Sequence, residues 1–229
     1  MTIGILTAMQ REQQQIAALL DNQHTDSHLA NYTVGSLGQH TIVLVQSGIG
    51  KVNAAIAATQ LISHYQPDCV ISTGCAGGAD TSLHLRDIVV SSQLCYHDVY
   101  CGEAVGTTTL GQVQGLPARF EGDPRLLQVA TTLKADTPIV PGLIVTGDWF
   151  VDNKQKMADI VSHFPDAVAV DMESAAIAQA CHLHHVPFLS FRVVSDIPLN
   201  DDHAAQYHDF WTNVADQSFH TTRLFLEQL

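Results

Sequence analysis

The sequence predicts an α/β fold in which a mixed β-sheet is flanked by helices, and three observations lead to that expectation. Short runs of β-branched residues alternate with longer helical patterns along all 229 residues. Several of the predicted strands are apolar throughout rather than alternating, which indicates burial on both faces. Gly38-Gln39 lies between two strand runs and indicates a hairpin turn, so the sheet is expected to be mixed rather than purely parallel.

The order of the elements follows from local composition. Runs rich in Val, Ile and Thr predict strands at Ile3–Thr7, Tyr32–Ser36, Thr41–Gln46, Cys69–Thr73, Ile88–Ser92, Leu143–Thr146, Ala167–Asp171 and Phe188–Val194. Helical periodicity predicts helices at Arg11–Leu20, Val52–Ser63, Pro124–Lys134, Lys154–His163, Ser174–His184 and His208–Glu227. The Gly- and Thr-rich segment Tyr100–Phe120 is expected to be a long functional loop. No repeat or linker divides the sequence, so residues 1–229 are expected to form one domain.

Composition excludes several classes of function. A hydrophobic fraction of 46% with only 14% charged residues provides material for a large core and rules out disorder. The formal charge of −13 repels phosphate backbones, so no nucleic-acid partner is expected. There is no basic amphipathic stretch for a membrane surface, no signal peptide and no apolar run of ~18 residues. The five cysteines contain no C-x-x-C pair. A soluble, cytoplasmic protein without a disulfide framework or metal site is therefore expected.

Six clusters of glycine, acidic or small polar residues each follow a predicted strand directly. The carboxyl ends of strands in an open α/β sheet gather along one edge, where ligands bind, so the clusters are expected to line one pocket. They are Ala8–Glu12, Ser47–Gly50, Gly74–Gly78, Gly147–Phe150, Asp171–Glu173 and Ser195-Asp196.

Three carboxylates in these clusters stand out, namely Glu12, Glu173 and Asp196. A single acid at such a position is most often an N-cap or first-turn acid that the helix dipole favours, and Glu12 fits that interpretation. Asp196 does not fit it, because the following Ile197–Asn200 starts no helix. Three acids that converge on one edge of the sheet favour a functional site.

Other motifs leave alternatives open. Gly48–Asn53 is a broken and weak match to a dinucleotide-binding fingerprint. Gly74–Gly78 either lets backbone N–H groups approach a ligand closely or forms a tight strand-to-helix turn. Cys75 is expected to be a small packed residue rather than a nucleophile, since no His lies near it in sequence. The histidines of Cys181–His185 favour a solvated helix end over a metal pair. Tyr96–Asp98 contains either a positioned His or a plain polar strand end.

In combination and in order, the motifs resemble the 5′-methylthioadenosine/S-adenosylhomocysteine nucleosidases of the nucleoside phosphorylase superfamily. The resemblance covers nearly the whole chain. Its motifs are the Glu12 start, Ser47–Lys51, Ser72–Gly78, Gly147–Val151, Val170–Ala176 and Arg192–Asp196. It implies a nucleoside phosphorylase-like fold and cofactor-free hydrolysis of the N-glycosidic bond of methylthioadenosine and S-adenosylhomocysteine, with 5′-deoxyadenosine as a further candidate. Adenine and the 5-thio-substituted ribose would be released through an oxocarbenium-like transition state.

The resemblance also implies roles for the three acids. Asp196 matches the general acid that protonates N7 of adenine, and the apolar run before it is expected to raise its pKa by desolvation. Glu12 matches the residue that orients and activates the attacking water. Glu173 matches the carboxylate that accepts hydrogen bonds from the ribose hydroxyls. The residues expected to bind the substrate are Met9, Ile49, Cys75, Ala76, Gly77, Phe150, Val151, Met172, Arg192, Ser195 and Tyr207.

Among the implied contacts, Phe150 would stack on adenine, Val151 would offer backbone hydrogen bonds to its edge, and Met172 would pack against the ribose. Tyr207 matches a position that caps the alkylthio end from a neighbouring subunit, so a homodimer is implied. Two departures from the family pattern bear on the pocket. Cys75 stands where the family usually has Ser, and Val99–Gly106 replaces an aromatic-rich stretch that helps form the thioalkyl pocket.

Two other functions compete with hydrolysis. A phosphorylase of the same superfamily would use phosphate in place of water, but it carries an Arg where this chain has Ser72, and Glu12 would repel the dianion. A catalytically silent nucleoside-binding protein on the same fold would be expected to lose one of the three acids, whereas this chain keeps them all.

Overall fold

The computed structural model describes residues 1–26, 31–106, 109–214 and 219–229. Its strands are β1 Thr2–Thr7, β2 Asp21–Thr25, β3 Tyr32–Leu37, β4 His40–Gln46, β5 Cys69–Gly78, β6 Ile88–Tyr96, β7 Phe120–Glu121, β8 Ile139–Thr146, β9 Ala167–Asp171 and β10 Phe188–Asp196. Its α-helices are α1 Gln10–Ala17, α2 Lys51–Tyr65, α3 Pro124–Thr132, α4 Lys154–His163, α5 Ser174–His184, α6 His203–Asp209 and α7 His220–Gln228. A 3₁₀ helix at Glu103–Val105 and a π-helix at Phe210–Val214 complete the elements of the described residues.

The strands form one mixed sheet, in the order β10-β6-β8-β9-β5-β1-β4-β3-β2, with β7 paired to β6. Because β10 also pairs with β5, the strands β5, β10, β6, β8 and β9 close into a ring. The two-residue turn at Gly38-Gln39 joins β3 to β4 as an antiparallel hairpin, which confirms that prediction. The mixed sheet with flanking helices confirms the predicted fold class, and its continuity supports our proposal of one domain over residues 1–229.

Apolar residues fill both faces of the sheet. One core cluster includes Leu61 of α2 and Ile177 of α5, and a second includes Ile16 of α1, Leu126 of α3 and Phe225 of α7. All five are at most 5% exposed, so the helices bury their apolar stripes against the strands. None of the helices in the described part of the chain is long and apolar enough to cross a membrane.

Two of the six clusters do not follow strands as expected, because the strands run into them. β5 continues through Gly78 and β10 ends on Asp196, whereas β9 ends on Asp171 as predicted. The tight-turn alternative for Gly74–Gly78 is therefore wrong. Glycine ordinarily weakens a strand interior, but it is found where another group approaches the backbone closely.

The prediction of a single helix at His208–Glu227 is also wrong. The chain instead forms α6, the π-helix and α7, and residues 215–218 of the predicted helix lie outside the described residues. No Gly or Pro interrupts residues 203–227, so composition contains no signal for the change of helix type.

Candidate active site

A single cavity brings the predicted site residues together, with the exception of Arg192. Its lining also includes four residues that were given no individual role, namely Ala8, Trp149, Val170 and Asp171, and all but Val170 belong to the clusters that were expected to line one pocket. The parallel pairing of β1, β4, β5 and β10 places the ends of those strands at one edge of the sheet. β9 arrives differently, because it pairs antiparallel with β5 through Gly77–Val170 and Gly78–Ala169. This pairing brings the residues that follow Val170 next to the carboxyl-terminal part of β5.

Glu12 is held in the cavity wall by three backbone donors. Its Oε2 accepts the N–H groups of Ala8 at 3.0 Å and Met9 at 2.9 Å, and its Oε1 accepts the N–H of Cys75 at 3.0 Å. The side chain is 1% exposed. Glu12 is thus a first-turn acid of α1, as the structural interpretation expected, and also faces the cavity, as the functional one required.

Gly74 makes the close approach of Glu12 feasible. Its φ is +150°, and a Cβ at this position would lie 2.5 Å from Glu12 Oε1 and 2.9 Å from Arg192 Nη1. Any side chain here would displace the carboxylate or the guanidinium. The glycine in the middle of β5 is therefore a requirement of the site rather than of a turn.

Glu173 lies two residues after the end of β9, at the N-cap of α5, and is 5% exposed. Its Oε1 accepts the N–H of Gly50 at 3.0 Å, and its Oε2 lies 3.7 Å from Arg192 Nη2. Burial raises the pKa of Glu173 to about 7, while the neighbouring Arg192 charge acts in the opposite direction. The free lone pairs of this carboxylate remain available to accept hydrogen bonds.

Arg192 does not line the cavity but lies behind its acids. Its guanidinium is 1% exposed and pairs with Asp171 at 3.0 Å, and it donates to Ser72 Oγ at 2.8 Å. Asp171 in turn accepts hydrogen bonds from Thr146 Oγ1 at 2.6 Å and from the Ser174 hydroxyl. Removing one partner of such a buried pair leaves an uncompensated charge, which costs about 3–5 kcal/mol. Arg192 therefore holds the carboxylates of Asp171 and Glu173 in position from the side opposite the cavity.

Asp196 ends β10 at a register shift, which falls between Val194 and Asp196 in the pairing with β5. Such irregularities redirect side chains, and Asp196 lines the cavity. Its carboxyl accepts the Ser195 hydroxyl at 2.8 Å. Burial raises the pKa of Asp196 to about 6, and the Ser195 hydrogen bond opposes part of that rise. A carboxyl with this pKa keeps its proton in a fraction of molecules near neutral pH and can donate it.

The outer part of the cavity is apolar and aromatic. We call Ile49, Trp149, Phe150 and Tyr207 the rim. The side chains of Ile49, Trp149 and Phe150 are 51%, 54% and 53% exposed, and the rings of Phe150 and Tyr207 meet edge to face at 5.4 Å. The expectation that Tyr207 enters from a neighbouring subunit is wrong, because α6 follows β10 closely and places Tyr207 in the cavity of its own chain.

A charged network fastens the loop that carries Phe150. Lys51 Nζ pairs with Asp98 at 2.6 Å, and Asp98 accepts the N–H of Asp148 at 2.8 Å. Asp148 also accepts the N–H of Lys51 at 2.7 Å. Asp98 therefore has a structural role in the segment Tyr96–Asp98. His97 beside it is buried and, within the described residues, neither ring nitrogen has a hydrogen-bond partner.

Cys75 lies in the cavity wall as a thiol. Burial, followed by the charge of Glu12, raises its pKa well above the ordinary value, so the thiolate that a nucleophile would need is disfavoured. The histidines at the end of α5 are exposed, which confirms the predicted solvated helix end. In the described ranges, no group of three or more His, Cys, Asp and Glu side chains has the arrangement of a metal site.

Comparisons with known proteins agree over the full length of the chain. A family model for the phosphorylase superfamily matches residues 2–227. The 5′-methylthioadenosine/S-adenosylhomocysteine nucleosidase of Anoxybacillus flavithermus is 40% identical over 234 residues, which cover 100% of this chain and 99% of that protein. The corresponding protein of Exiguobacterium sp. is 43% identical over 204 residues, or 86% of this chain and 85% of that protein.

Solved structures agree with the sequence relatives. The Streptococcus pneumoniae nucleosidase with the transition-state inhibitor MT-ImmA has a TM-score of 0.91 at 37% identity, covering 100% of this chain and 99% of that chain. The Colwellia psychrerythraea enzyme in complex with adenine has a TM-score of 0.90 at 39% identity, covering 100% and 96%. With a cavity walled by acids at the same sheet edge that the motifs indicated, the chain belongs to the 5′-methylthioadenosine/S-adenosylhomocysteine nucleosidase family of the phosphorylase superfamily.

Proposed function

We propose that this cavity hydrolyses the N-glycosidic bond of 5′-methylthioadenosine and S-adenosylhomocysteine, releasing adenine and the 5-thio-substituted ribose. The observation that carries the proposal is the convergence of Glu12, Glu173 and Asp196 on one cavity, each at most 5% exposed. The relatives act on the same two nucleosides by name, and their structures bind adenine or a transition-state inhibitor.

Asp196 serves as the general acid in this proposal. Adenine leaves as an anion unless N7 receives a proton, so a carboxyl that is still protonated near neutral pH lowers the barrier. A pKa of about 6 suits that role better than the ordinary aspartate pKa of 3.8. Ser195 orients the carboxyl through its hydroxyl and thereby fixes the direction in which the proton is offered.

The other two acids act on the sugar and on the water. Glu173 accepts hydrogen bonds from the ribose hydroxyls, and these strengthen as the ring becomes cationic. Glu12 orients the attacking water and takes its proton, with three backbone donors keeping its carboxylate in one orientation. Arg192 contacts both Glu173 and Asp171 from behind, so it is a positioning residue and not a substrate ligand in this proposal.

The remaining contacts follow the shape of the cavity. Phe150 stacks on adenine, Val151 presents its backbone to the edge of the base, and Met172 packs against the ribose. The side chains of Met9, Ile49 and Tyr207 face the 5′ end, while Cys75, Ala76 and Gly77 line the base side. Each of these residues borders the cavity.

Phosphorolysis is disfavoured by the charge of the lining. Among the described residues, the cavity is lined by Glu12, Asp171, Glu173 and Asp196 and by no Lys or Arg. A phosphate dianion requires cationic donors, ordinarily bidentate Arg. Adenine release should therefore proceed in phosphate-free buffer and should not accelerate when phosphate is added. Strict dependence on phosphate would establish a phosphorylase, and nucleoside binding without adenine release would establish a silent binding protein.

We also propose that the chain works as a homodimer in a reducing compartment such as the cytoplasm. Val52 and Ile56 lie one turn apart on α2 and are 68% and 53% exposed. The start of α2 is bonded to the loop that carries Trp149 and Phe150, because the Lys51 N–H donates to Asp148 at 2.7 Å. An exposed apolar helix face near that loop suits a second copy of the chain, which would cover it. All five cysteines are free, as is usual for proteins of reducing compartments.

A further inference from the structure

A fixed cation lies at the mouth of the cavity. Arg11 is exposed, and its Nη2 donates to the Tyr207 hydroxyl at 2.9 Å and contacts Met9 Sδ at 3.6 Å. The guanidinium carbon lies 3.7 Å above the ring of Trp211. Tyr207 and Met9 both line the cavity, so this guanidinium is held at its opening rather than free in solvent.

The position of Arg11 is electrostatically unfavourable for a merely structural residue. Arg11 lies in the first turn of α1, where the positive end of the helix dipole disfavours a cation. Within the described ranges, no carboxylate forms an ion pair with it. Its hydrogen bonds in those ranges use Nη2 alone, which leaves Nε and Nη1 as donors for a planar anion.

The substrates of the proposed function differ at the end of the nucleoside that faces this residue. In the proposed function, Asp196 lies at the end of the cavity that binds the base, and Glu12 lies beside the sugar. Met9 connects Glu12 to Arg11, because its N–H donates to Glu12 and its Sδ contacts the Arg11 guanidinium. Methylthioadenosine ends there in a methyl group, whereas S-adenosylhomocysteine ends in an amino acid that carries a carboxylate. The charged side chains that line the cavity are all acids in the described residues, so a nearby guanidinium decides whether this carboxylate is attracted or repelled.

We propose that Arg11 binds the carboxylate of the 5′ substituent and thereby determines the preference for amino-acid-bearing thioadenosines over methylthioadenosine. Nε and Nη1 donate to the carboxylate. The Tyr207 hydroxyl accepts from Nη2 and is left with its own proton to donate to the same group. Trp211 holds the guanidinium plane by stacking, so little side-chain freedom is lost on binding. This inference rests on the proposed hydrolase function.

The test compares Arg11→Met, which keeps the packing over Trp211 but removes the charge, with Lys134→Met as a remote charge-loss control. Adenine release is measured with methylthioadenosine, S-adenosylhomocysteine and its decarboxylated analogue, 5′-(3-aminopropylthio)-5′-deoxyadenosine. A charge-assisted hydrogen-bonded pair predicts a ~10–100-fold loss of kcat/KM for S-adenosylhomocysteine, mainly through KM. The other two substrates should change by less than about twofold, and Lys134→Met should leave all three unchanged.

Each other outcome overturns the inference. An equal loss with all three substrates would show that Arg11 only holds Tyr207 and α6 in place, and unchanged turnover of S-adenosylhomocysteine would show that it binds no carboxylate. Either result leaves the hydrolase function intact, because the wild-type chain would still release adenine from methylthioadenosine. No adenine release by the wild-type chain from any of the three would overturn both proposals together.

Discussion

The floor of the cavity and its rim are built from different parts of the fold. The floor, which we define as the acids Glu12, Glu173 and Asp196 together with Arg192 behind them, is at most 5% exposed and lies on or beside strands. The rim residues Ile49, Trp149 and Phe150 are about half exposed and follow strands as loops. Backbone donors and a buried ion pair restrain the floor, whereas the rim has ring contacts and one charged network. In our proposal, therefore, the residues of the chemical step are positioned by the core of the chain, whereas the residues that select the substrate lie on a surface that the core does not fix.

The sharpest test of this contrast is Asp196→Asn. The amide cannot deliver a proton to the leaving base, so kcat should fall by ~10²–10⁴. The exposed Asp201→Asn is the matched control and should retain wild-type turnover, since Asp201 pairs only with Lys154 at the surface. Adenine production under saturating substrate measures both variants. Near-normal turnover in Asp196→Asn would show that Asp196 is not the general acid.

Glu12→Gln should reduce turnover by a similar ~10²–10⁴, because the water loses its base. Both oxygens of Glu12 accept backbone N–H groups, so a glutamine amide must turn its NH₂ toward one of these donors. The variant is therefore expected to be less stable by about 1–3 kcal/mol as well. Thermal unfolding with Glu227→Gln as the exposed control tests the second effect. A variant that is both active and stable would contradict the role and the geometry.

The buried acid of the floor should also leave a signature in stability. The pKa of Asp196 is raised in the folded chain, from 3.8 to about 6. Folding therefore favours the protonated form, and this contribution is present below pH ~3.8 and is lost as pH rises through ~6. The asparagine variant has no titrating group at this position and does not lose this contribution. The free energy of unfolding of Asp196→Asn minus that of the wild-type chain should therefore increase by on the order of 1 kcal/mol between pH 5 and pH 8. A constant difference in Tm across this range would mean that the carboxyl is not desolvated.

The exposed side of α2, outside both the floor and the rim, is the proposed interface between two copies of the chain. Ile56→Glu places a charge on the exposed side of α2, and it should shift the protein from dimer to monomer in light scattering while altering unfolding little. Leu183→Glu, at a site that is 57% exposed on α5, is the matched control and should stay dimeric. If both variants have the wild-type mass, the exposed side of α2 is not the interface between copies.

The acids of the floor were predictable because their signals are local. Glu12, Glu173 and Asp196 each stand within a few residues of the end of an apolar run, and the topology then brings those ends together. Arg192 was predicted as a substrate ligand because its sequence neighbours are site residues. Its pairing with Asp171 depends on contacts between distant strands, which no local pattern records.

Other features escaped prediction for identifiable reasons. β2 consists of Asp21–Thr25, an exposed and polar edge strand without alternation, so it carries no periodic signal. β7 has two residues, which is too short for any pattern. The closure of the ring through β10 and β5 is a pairing of strands more than 100 residues apart, and hydrophobic runs do not specify their partners. The placement of Tyr207 within its own cavity depends on the same closure.

β10 is both the strand that completes the ring and the last strand of the described chain, and it carries Arg192 and Asp196. A chain that ends before Phe188 therefore lacks Asp196, which is the proposed proton donor, and the guanidinium of Arg192. It also cannot close the ring of strands. A fragment of residues 1–187 is therefore expected to lack the proposed hydrolase activity altogether.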